Sequence, residues 1–148
     1  MLLDLRKLKR TGKDSTDFYF EYLPTVDLAE DLPECEIELP IKVNGTVTLT
    51  GDHSAYVEGE VAFTLRGECT RCLKDTANLY TAEFGEQVDD ENDGGYSVYN
   101  DVIDLTKIVN DAVLMNIPLS FLCDEECKGL CSGCGTNLND AQCKCKKQ

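Results

Sequence analysis

The fold is decided by one stretch of the chain, Glu36-Ile37-Glu38-Leu39-Pro40-Ile41-Lys42-Val43-Asn44-Gly45-Thr46-Val47-Thr48-Leu49. Its apolar side chains fall on odd-numbered positions, and mostly polar residues stand between them. A period of two is typical of a β-strand with one buried face. Asn44-Gly45 resembles a hairpin turn, but a two-residue turn there would set apolar residues opposite polar ones. We therefore predict one long strand with an irregularity at the glycine, or a three-residue loop that pairs Val43 with Val47.

Further strands are expected on both sides of this stretch. Upstream, Phe18, Phe20 and Tyr22 alternate with Tyr19 and Glu21. Downstream, the segment 51–54 suits a turn, the segment 55–65 resumes the alternation, and a last strand is expected around 79–88. Strands that follow one another after short turns pair in antiparallel fashion.

An amphipathic helix is predicted near 105–117, because its apolar residues recur at helical spacing. Asp104 is placed to cap its first turn, and Pro118 to end it. The predicted fold class is α+β: a mainly antiparallel β-sheet with one amphipathic helix packed on it and a zinc-knuckle-like C-terminal tail. We expect a β-rich domain over 1–122 and a cysteine-rich, metal-binding tail over 123–148.

The charge of the chain is divided into an acidic body and two basic ends. The 148 residues carry a net charge of -14, and the segment 14–127 holds 26 acidic residues against five basic ones. Such a body repels phosphate, which excludes a general RNA platform and favours a basic protein partner. Contact with RNA would have to come from the two ends. The candidate RNA-binding residues are Arg6, Lys7, Lys9, Arg10, Lys13, Lys144, Lys146 and Lys147.

The first ten residues carry charges too early and too often for a signal peptide. No apolar run reaches the roughly 18 residues that a membrane span needs. We therefore expect a cytoplasmic protein with no membrane contact. In that reducing compartment, close-set cysteines are more often metal ligands than disulfide partners.

Eight of the nine cysteines form close pairs. The stronger candidate site lies in the tail, where Cys131-Ser132-Gly133-Cys134-Gly135 has the form of a zinc knuckle and Cys143 and Cys145 follow. A segment with four cysteines and few apolar side chains cannot become ordered by burial alone, so bound zinc is the natural source of its order. The first predicted ligand set is therefore Cys131, Cys134, Cys143 and Cys145.

The pair Cys69 and Cys72 follows a predicted strand, with another strand after it. A thioredoxin-like redox motif would instead stand between a strand and a helix. Its expected complement is Cys123 with Cys127, which would tie the end of the sheet to the end of the helix. The alternatives are a single zinc site that draws on Cys127, and four unligated thiols. Cys35 is predicted to be an ordinary thiol that faces the core.

Catalytic motifs are absent from the sequence. The one histidine, His53, has no glutamate two residues after it, so it cannot begin the signature of zinc deaminases. Zinc held by four cysteines is closed to substrate. The acidic segment 89–95 resembles a calcium loop, but its twelfth position is Asn100 and no helix precedes it, so a solvated surface loop is predicted. We expect no enzyme activity and no small-molecule substrate.

Three segments of the chain together carry a family resemblance. They are the Cys-Thr-Arg-Cys-Leu segment over 69–73, the helix closing on Pro118-Leu119, and the tail over 127–139, which reads CKGLCSGCGTNLN. The chain resembles the YceD family, in the branch with a cysteine-rich tail, although that tail usually has proline where Ser132 stands. The resemblance implies a cytoplasmic, non-enzymatic factor that supports accumulation of large-subunit (23S) ribosomal RNA.

Resemblance and charge together suggest a specific partner. The leading hypothesis is that the protein binds a basic large-subunit ribosomal protein, the ribosomal RNA, or both, with one or two structural Zn²⁺ ions. The alternative is a zinc-thiolate redox sensor that releases its metal on oxidation.

Overall fold

A computed structural model describes residues 1–32, 34–90, 95–143 and 145. The structure is α+β with mainly antiparallel sheets, as the sequence predicts. In chain order the elements are β1 (Leu2–Asp4), α1 (Arg6–Thr11), β2 (Ser15–Tyr22), β3 (Cys35–Gly51), β4 (Ser54–Glu68), β5 (Asp75–Asp89), β6 (Val98–Tyr99), β7 (Val102–Asp104) and α2 (Thr106–Asn116).

The main sheet has four strands in the order β2-β3-β4-β5, and every neighbouring pair is antiparallel. The predicted long strand is present as β3, and the predicted turn over 51–54 joins it to β4. Gly45 lies in regular register opposite Gly59, so the irregularity expected at this glycine is not there. Register shifts lie instead between the pairs Glu38–Thr64 and Lys42–Ala62, and between Leu49–Ala55 and Gly51–Ser54.

The first of these register shifts explains one error in the predicted burial pattern. Leu39 shares the odd-numbered alternation but is 52% exposed. Three residues of β3 stand opposite one residue of β4 at this point, which turns Leu39 away from the core. The shift adds two residues to β3. Because successive side chains point to opposite faces, an even number of added residues leaves the odd-numbered side chains on the same face before and after the shift.

One face of the main sheet is covered by α2, which runs against β5 and β4. The edge strand β2 is also tied to this helix, because the Tyr22 hydroxyl donates a hydrogen bond to Oδ1 of Asn110 at 2.8 Å. The fully buried side chains between the sheet and the helix include Ile41, Val43, Val47, Val57, Val61, Phe63, Leu65, Ile108, Val109 and Val113. The inner face of the sheet is therefore the apolar face that the sequence predicts.

Asp104 bonds to the first residue of α2, but the N-cap position is Leu105, which has no side-chain cap, so the predicted cap was placed one residue too early. Oδ1 of Asp104 accepts hydrogen bonds from the backbone N–H of Thr106 at 2.9 Å and from its hydroxyl at 2.6 Å. Ile117 is already extended, and Pro118 follows it. Neither helix of the described part of the chain is long and apolar enough to cross a membrane.

The basic N-terminal segment folds against the body, a result that the sequence does not predict. Strand β1 pairs with β7 in a second, three-stranded sheet of order β1-β7-β6. The short helix α1 follows, and it is anchored by the buried side chains of Leu5 and Leu8. Of the predicted surface loop over 89–95, Asp89 is the last residue of β5 and is partly buried, Asp90 and Gly95 are exposed, and residues 91–94 lie outside the described part.

Candidate metal centres

The first cluster of cysteines, here called the body cluster, consists of Cys69, Cys72, Cys123 and Cys127. Cys69 and Cys72 lie in the turn after β4, and Cys123 and Cys127 lie in the segment that follows α2. Three of the four side chains are buried, and Cys123 is partly buried. Sulfur–sulfur distances are 3.8 Å between Cys69 and Cys127 and 3.5 Å between Cys72 and Cys123.

Hydrogen bonds that do not involve the sulfurs connect the turn after β4, which carries Cys69 and Cys72, to the segment that carries Cys123 and Cys127. The carbonyl oxygen of Phe121 accepts from the backbone N–H of Thr70 at 2.8 Å and from its hydroxyl at 3.1 Å. The guanidinium of Arg71 donates to the carbonyl oxygen of Cys127 at 3.1 Å. The arrangement of the four sulfurs is therefore supported by the fold itself.

The second cluster, here called the tail cluster, consists of Cys131, Cys134, Cys143 and Cys145. A tight turn brings Cys131 and Cys134 together: the N–H of Gly135 donates to the carbonyl oxygen of Cys131 at 2.8 Å. Gly135 has a φ of +70°, a conformation that glycine adopts without strain. In contrast to the body cluster, Cys134, Cys143 and Cys145 are exposed and Cys131 is partly buried.

The dimensions of both clusters fit a tetrahedral metal ion. Four thiolates at about 2.3 Å from a zinc ion lie about 3.8 Å from one another. In the tail cluster, the sulfur of Cys143 lies 3.1 Å from that of Cys131 and 3.7 Å from that of Cys134, and Cys131 and Cys145 are separated by 3.9 Å. All four sulfurs of each cluster lie within 4.8 Å of one another. Each cluster could therefore hold a metal ion.

The thiol pKa values of the body cluster diverge. Burial acts to raise the pKa of Cys69, but backbone N–H groups of Cys123, Arg71 and Cys72 outweigh it and lower that pKa to about 6. The neighbouring sulfur of Cys72, with burial, raises the pKa of Cys123 to about 12. The hydrogen bond from Asn139 also lowers the pKa of Cys127, whereas the pKa of Cys72 is raised. Two of the four thiols therefore ionise more readily than usual and two less readily, because like charges at this distance repel. A bound dication would offset that repulsion.

The tail cluster shows the same divergence from different causes. The hydroxyl and the backbone N–H of Thr136 lower the pKa of Cys134 to about 6. Contact with the sulfur of Cys143 raises the pKa of Cys145 to about 12. Since the four sulfurs are close but cannot all ionise unaided, the donor chemistry of both clusters suits a soft-ligand divalent metal.

Asn139 connects the two clusters. It lies in the tail between Cys134 and Cys143, and its Nδ2 donates a hydrogen bond to Sγ of Cys127 in the body cluster at 3.3 Å. Its Oδ1 accepts from the backbone N–H of Lys128 at 2.8 Å. The sequence contains Asn139 in its family-like tail motif, but the motif alone does not indicate that this side chain reaches a cysteine of the other cluster.

The structure brings together the sulfurs of both ligand sets that the sequence predicts. Cys127 lies with Cys69 and Cys72, as in the two-site hypothesis, and does not join the tail cluster. Metal binding by these residues remains a prediction, as does the division of the chain at residue 122. Cys35 belongs to neither cluster; it is partly buried against the core, and burial together with the charge of Glu34 raises its pKa.

The predicted RNA-binding residues of the N-terminus differ in their environment. The guanidinium of Arg6 forms an ion pair with Asp4 at 2.7 Å, and the ammonium of Lys9 contacts Asp101 and the carbonyl oxygen of Asp52. The other three candidates of this segment are exposed: Lys7, Arg10 and Lys13. Lys144, Lys146 and Lys147 lie outside the described residues.

Comparison with known proteins identifies the family. A family model described as "Large ribosomal RNA subunit accumulation protein YceD" matches residues 57–148, which include both cysteine clusters. The chain belongs to the YceD family. The family resemblance found in the sequence is thereby confirmed.

Several curated relatives of this YceD-family chain match over part of their length. A chloroplastic protein of Arabidopsis thaliana named "Large ribosomal RNA subunit accumulation protein YCED homolog 1" is 41% identical over 31% of the chain and 14% of that protein. An uncharacterised protein of Mycobacterium tuberculosis is 33% identical over 55% of the chain and 44% of that protein. The chain thus spans less than half the length of these two relatives.

A more extensive match is the uncharacterised protein YlbN of Bacillus subtilis, which is 30% identical over 72% of the chain and 67% of that protein. No solved structure is significantly similar to the chain.

Proposed function

We propose that this YceD-family protein is a non-catalytic factor of ribosome production, which binds a basic protein of the large subunit and so supports accumulation of the large-subunit ribosomal RNA. The family description supplies the link to that RNA. The charge of the body indicates a basic partner, because the segment 14–127 holds 26 acidic residues and five basic ones. A surface of one sign attracts a partner of the other sign and repels RNA.

The observation that carries this proposal is a group of carboxylates on the outer face of the main sheet. Glu60 of β4 stands directly opposite Glu83 of β5, and Glu58 follows on the same face of β4. Within the described residues, no ion pair is found to any of these three. Like charges directly opposite each other destabilise a sheet. A basic partner would convert this cost into binding free energy.

A binding experiment tests the proposal. Large-subunit ribosomal proteins, extracted free of RNA, are passed over the immobilised full chain at low and at high salt. We expect basic ribosomal proteins to be retained at low salt, and a variant with Glu60→Gln and Glu83→Gln to retain less of them. A variant with Asp52→Asn and Asp140→Asn controls for the same loss of charge elsewhere on the surface. If the chain retains no ribosomal protein, the proposed function is wrong.

The proposal includes a structural role for metal: each four-cysteine cluster holds one Zn²⁺. Zinc supplies the positive charge that four close thiolates need, and four cysteine ligands leave no position for substrate. The body cluster then fastens the segment after α2 to the end of β4, and the tail cluster orders the C-terminal segment. Metal analysis should give two zinc ions per chain, and one after either Cys69→Ser with Cys72→Ser or Cys131→Ser with Cys134→Ser.

Direct contact with ribosomal RNA would come from the exposed basic residues of the N-terminal segment. Deleting this segment is a poor test, because Leu5 and Leu8 are part of the core. Substituting glutamine for Lys7, Arg10 and Lys13 removes the charge and leaves the core intact. If a salt-sensitive interaction with large-subunit RNA disappears in this triple variant, RNA is a binding partner in addition to the protein.

A second candidate function is redox sensing by the tail cluster. Three of its four thiols are exposed, whereas the body cluster is mainly buried. Exposed thiolates are the ones that oxidants reach first. On this hypothesis, modest peroxide releases one zinc ion from the tail cluster and leaves the other in place. Retention of both ions under that treatment would exclude it.

A further inference from the structure

The free edge of the main sheet is unusually long. Strand β5 pairs with β4 without interruption from Asp75 to Asp89, with no bulge or register shift. On its other side, an isolated bridge joins Asp89 to Ser97. For the residues from Asp75 to Val88, the described part of the chain contains no other strand that pairs with that side. At roughly 3.3 Å per residue, this edge is about 45 Å long.

Three of the usual devices that protect an edge strand, namely lysine, proline and a bulge, are missing from β5. Proteins blunt such edges with lysine, proline, bulges or covering elements. Strand β5 contains no lysine, arginine or proline, and its charged residues are Asp75, Glu83, Glu86 and Asp89. Acidic side chains repel a second acidic copy of the chain, but they attract a basic segment. The opposite edge strand, β2, is only eight residues long.

A groove adjoins this edge near its beginning. It has a volume of about 470 Å³ and runs between residues 78–80 of β5 and the segment after α2. Its apolar lining includes Leu79, which is 70% exposed, together with Pro118 and Leu122. Asp124 and Glu125 also line it. The groove thus combines apolar side chains with two acidic residues.

We propose that the edge of β5 binds an extended, basic segment of a protein partner by adding that segment to the sheet as a fifth strand. Backbone hydrogen bonds to β5 supply the pairing. An apolar side chain of the segment contacts Leu79 and Leu122 in the groove, while lysine or arginine side chains pair with Glu83 and Glu125. The inference rests on the proposed function for the basic character of the partner, and it adds the binding site and the conformation of the bound segment.

The test uses the zinc-loaded full chain and a labelled 12-residue peptide of alternating lysine and valine, with a glutamate–valine peptide as the charge control. The informative variant is Leu79→Lys, because this side chain is exposed and its loss does not disturb the core. The matched control is Leu23→Lys, which is 64% exposed and adds the same charge away from β5. Thermal unfolding verifies that both variants fold.

We expect the lysine–valine peptide to bind and to slow hydrogen exchange at alternate backbone amides of β5. Leu79→Lys should weaken that binding about tenfold, whereas Leu23→Lys should change it by no more than about twofold. Large-subunit ribosomal proteins should show the same ranking of the two variants.

Three outcomes would overturn the inference. If ribosomal proteins bind but β5 amides stay unprotected and both variants behave alike, the edge is not the site, and the proposed function survives. If neither the peptide nor any ribosomal protein binds, both proposals fail. If β5 is protected at high chain concentration without peptide, its occupant is a second copy of the chain.

Discussion

The side-chain amide of Asn139 donates a hydrogen bond to the sulfur of Cys127 across 3.3 Å. This contact joins a residue near the middle of the tail to a predicted ligand of the body cluster, so the tail is connected to that cluster by a hydrogen bond as well as by the chain. A hydrogen bond to a thiolate stabilises its charge, and this one lowers the pKa of Cys127. We therefore expect Asn139 to position Cys127 for metal binding.

We predict that Asn139→Asp weakens metal binding at the body cluster about 10- to 100-fold. The aspartate keeps an oxygen for the N–H of Lys128 but cannot donate to Cys127. Zinc affinity is measured by competition with a chelator, in a background where the tail cluster is intact. Asn100→Asp, in the loop before β7, is the charge-matched control. Equal zinc affinity of the two variants would contradict the role assigned to Asn139.

Removal of metal by a strong chelator should disorder the tail while the main sheet persists. The buried cysteines Cys69, Cys72 and Cys127 form a cluster of their own, separate from the main hydrophobic core. Core burial therefore continues to stabilise the sheet without metal. Hydrogen exchange should accelerate over 127–143 and stay slow in β3 and β4. Global unfolding on chelation would show that the sheet depends on the metal.

The facing pair Glu60 and Glu83 should lower stability in the absence of a partner. Replacing Glu83 with glutamine removes the repulsion between opposite positions of β4 and β5. We expect the free energy of unfolding to increase by about 0.2–1 kcal/mol, and more at low than at high salt. Chemical denaturation measures this change. A decrease in stability would mean that the two carboxylates are not in repulsive contact.

Gly59→Ala should destabilise the sheet by about 2 kcal/mol or more. A Cβ at Gly59 would press on the carbonyl oxygen of Asn44 and lie 2.9 Å from Cζ of Phe84. Backbone and a core ring cannot move aside cheaply. Gly51→Ala is the matched control, since its added carbon meets only the hydroxyl of Ser54, and should change stability by no more than about 1 kcal/mol. Denaturant midpoints of the two variants give the comparison.

Stability should fall between about pH 10 and pH 12, partly because of Tyr96. Burial, and then a 2.9 Å hydrogen bond from its hydroxyl to Oδ2 of Asp111, raise the pKa of Tyr96 to about 12. The folded protein keeps this proton where the unfolded chain loses it, so unfolding is favoured as pH rises through that range. Subtracting the tyrosinate absorbance titration of Tyr96→Phe from that of the unmodified chain should isolate one group that titrates near pH 12. A titration near pH 10 would contradict the assignment.

The strands and the second helix could be predicted because their cause is local. The order of residues directly shows the alternation of apolar side chains in β3 and β4 and their helical spacing in α2. Leu39 was placed wrongly because the shift between Glu38 and Lys42 depends on how two strands pair. Helix α1 was missed because six residues are too few to show helical spacing. It is stabilised by burial of Leu5 and Leu8 in a core formed by residues far away in the sequence.

The sequence by itself determined the fold class, the acidic body, and the grouping of eight cysteines into pairs, since each of these depends on composition or on short spacing. The sequence favoured a pairing of Cys69 and Cys72 with Cys123 and Cys127 but left alternatives open, and only the tertiary structure decided between them. Cys69 and Cys127 are 58 positions apart, and their contact depends on how the end of β4 meets the segment after α2. The same holds for Glu60 opposite Glu83 and for the free edge of β5. Such relationships depend on strand register and on contacts between segments far apart in the sequence, which no short stretch of residues determines.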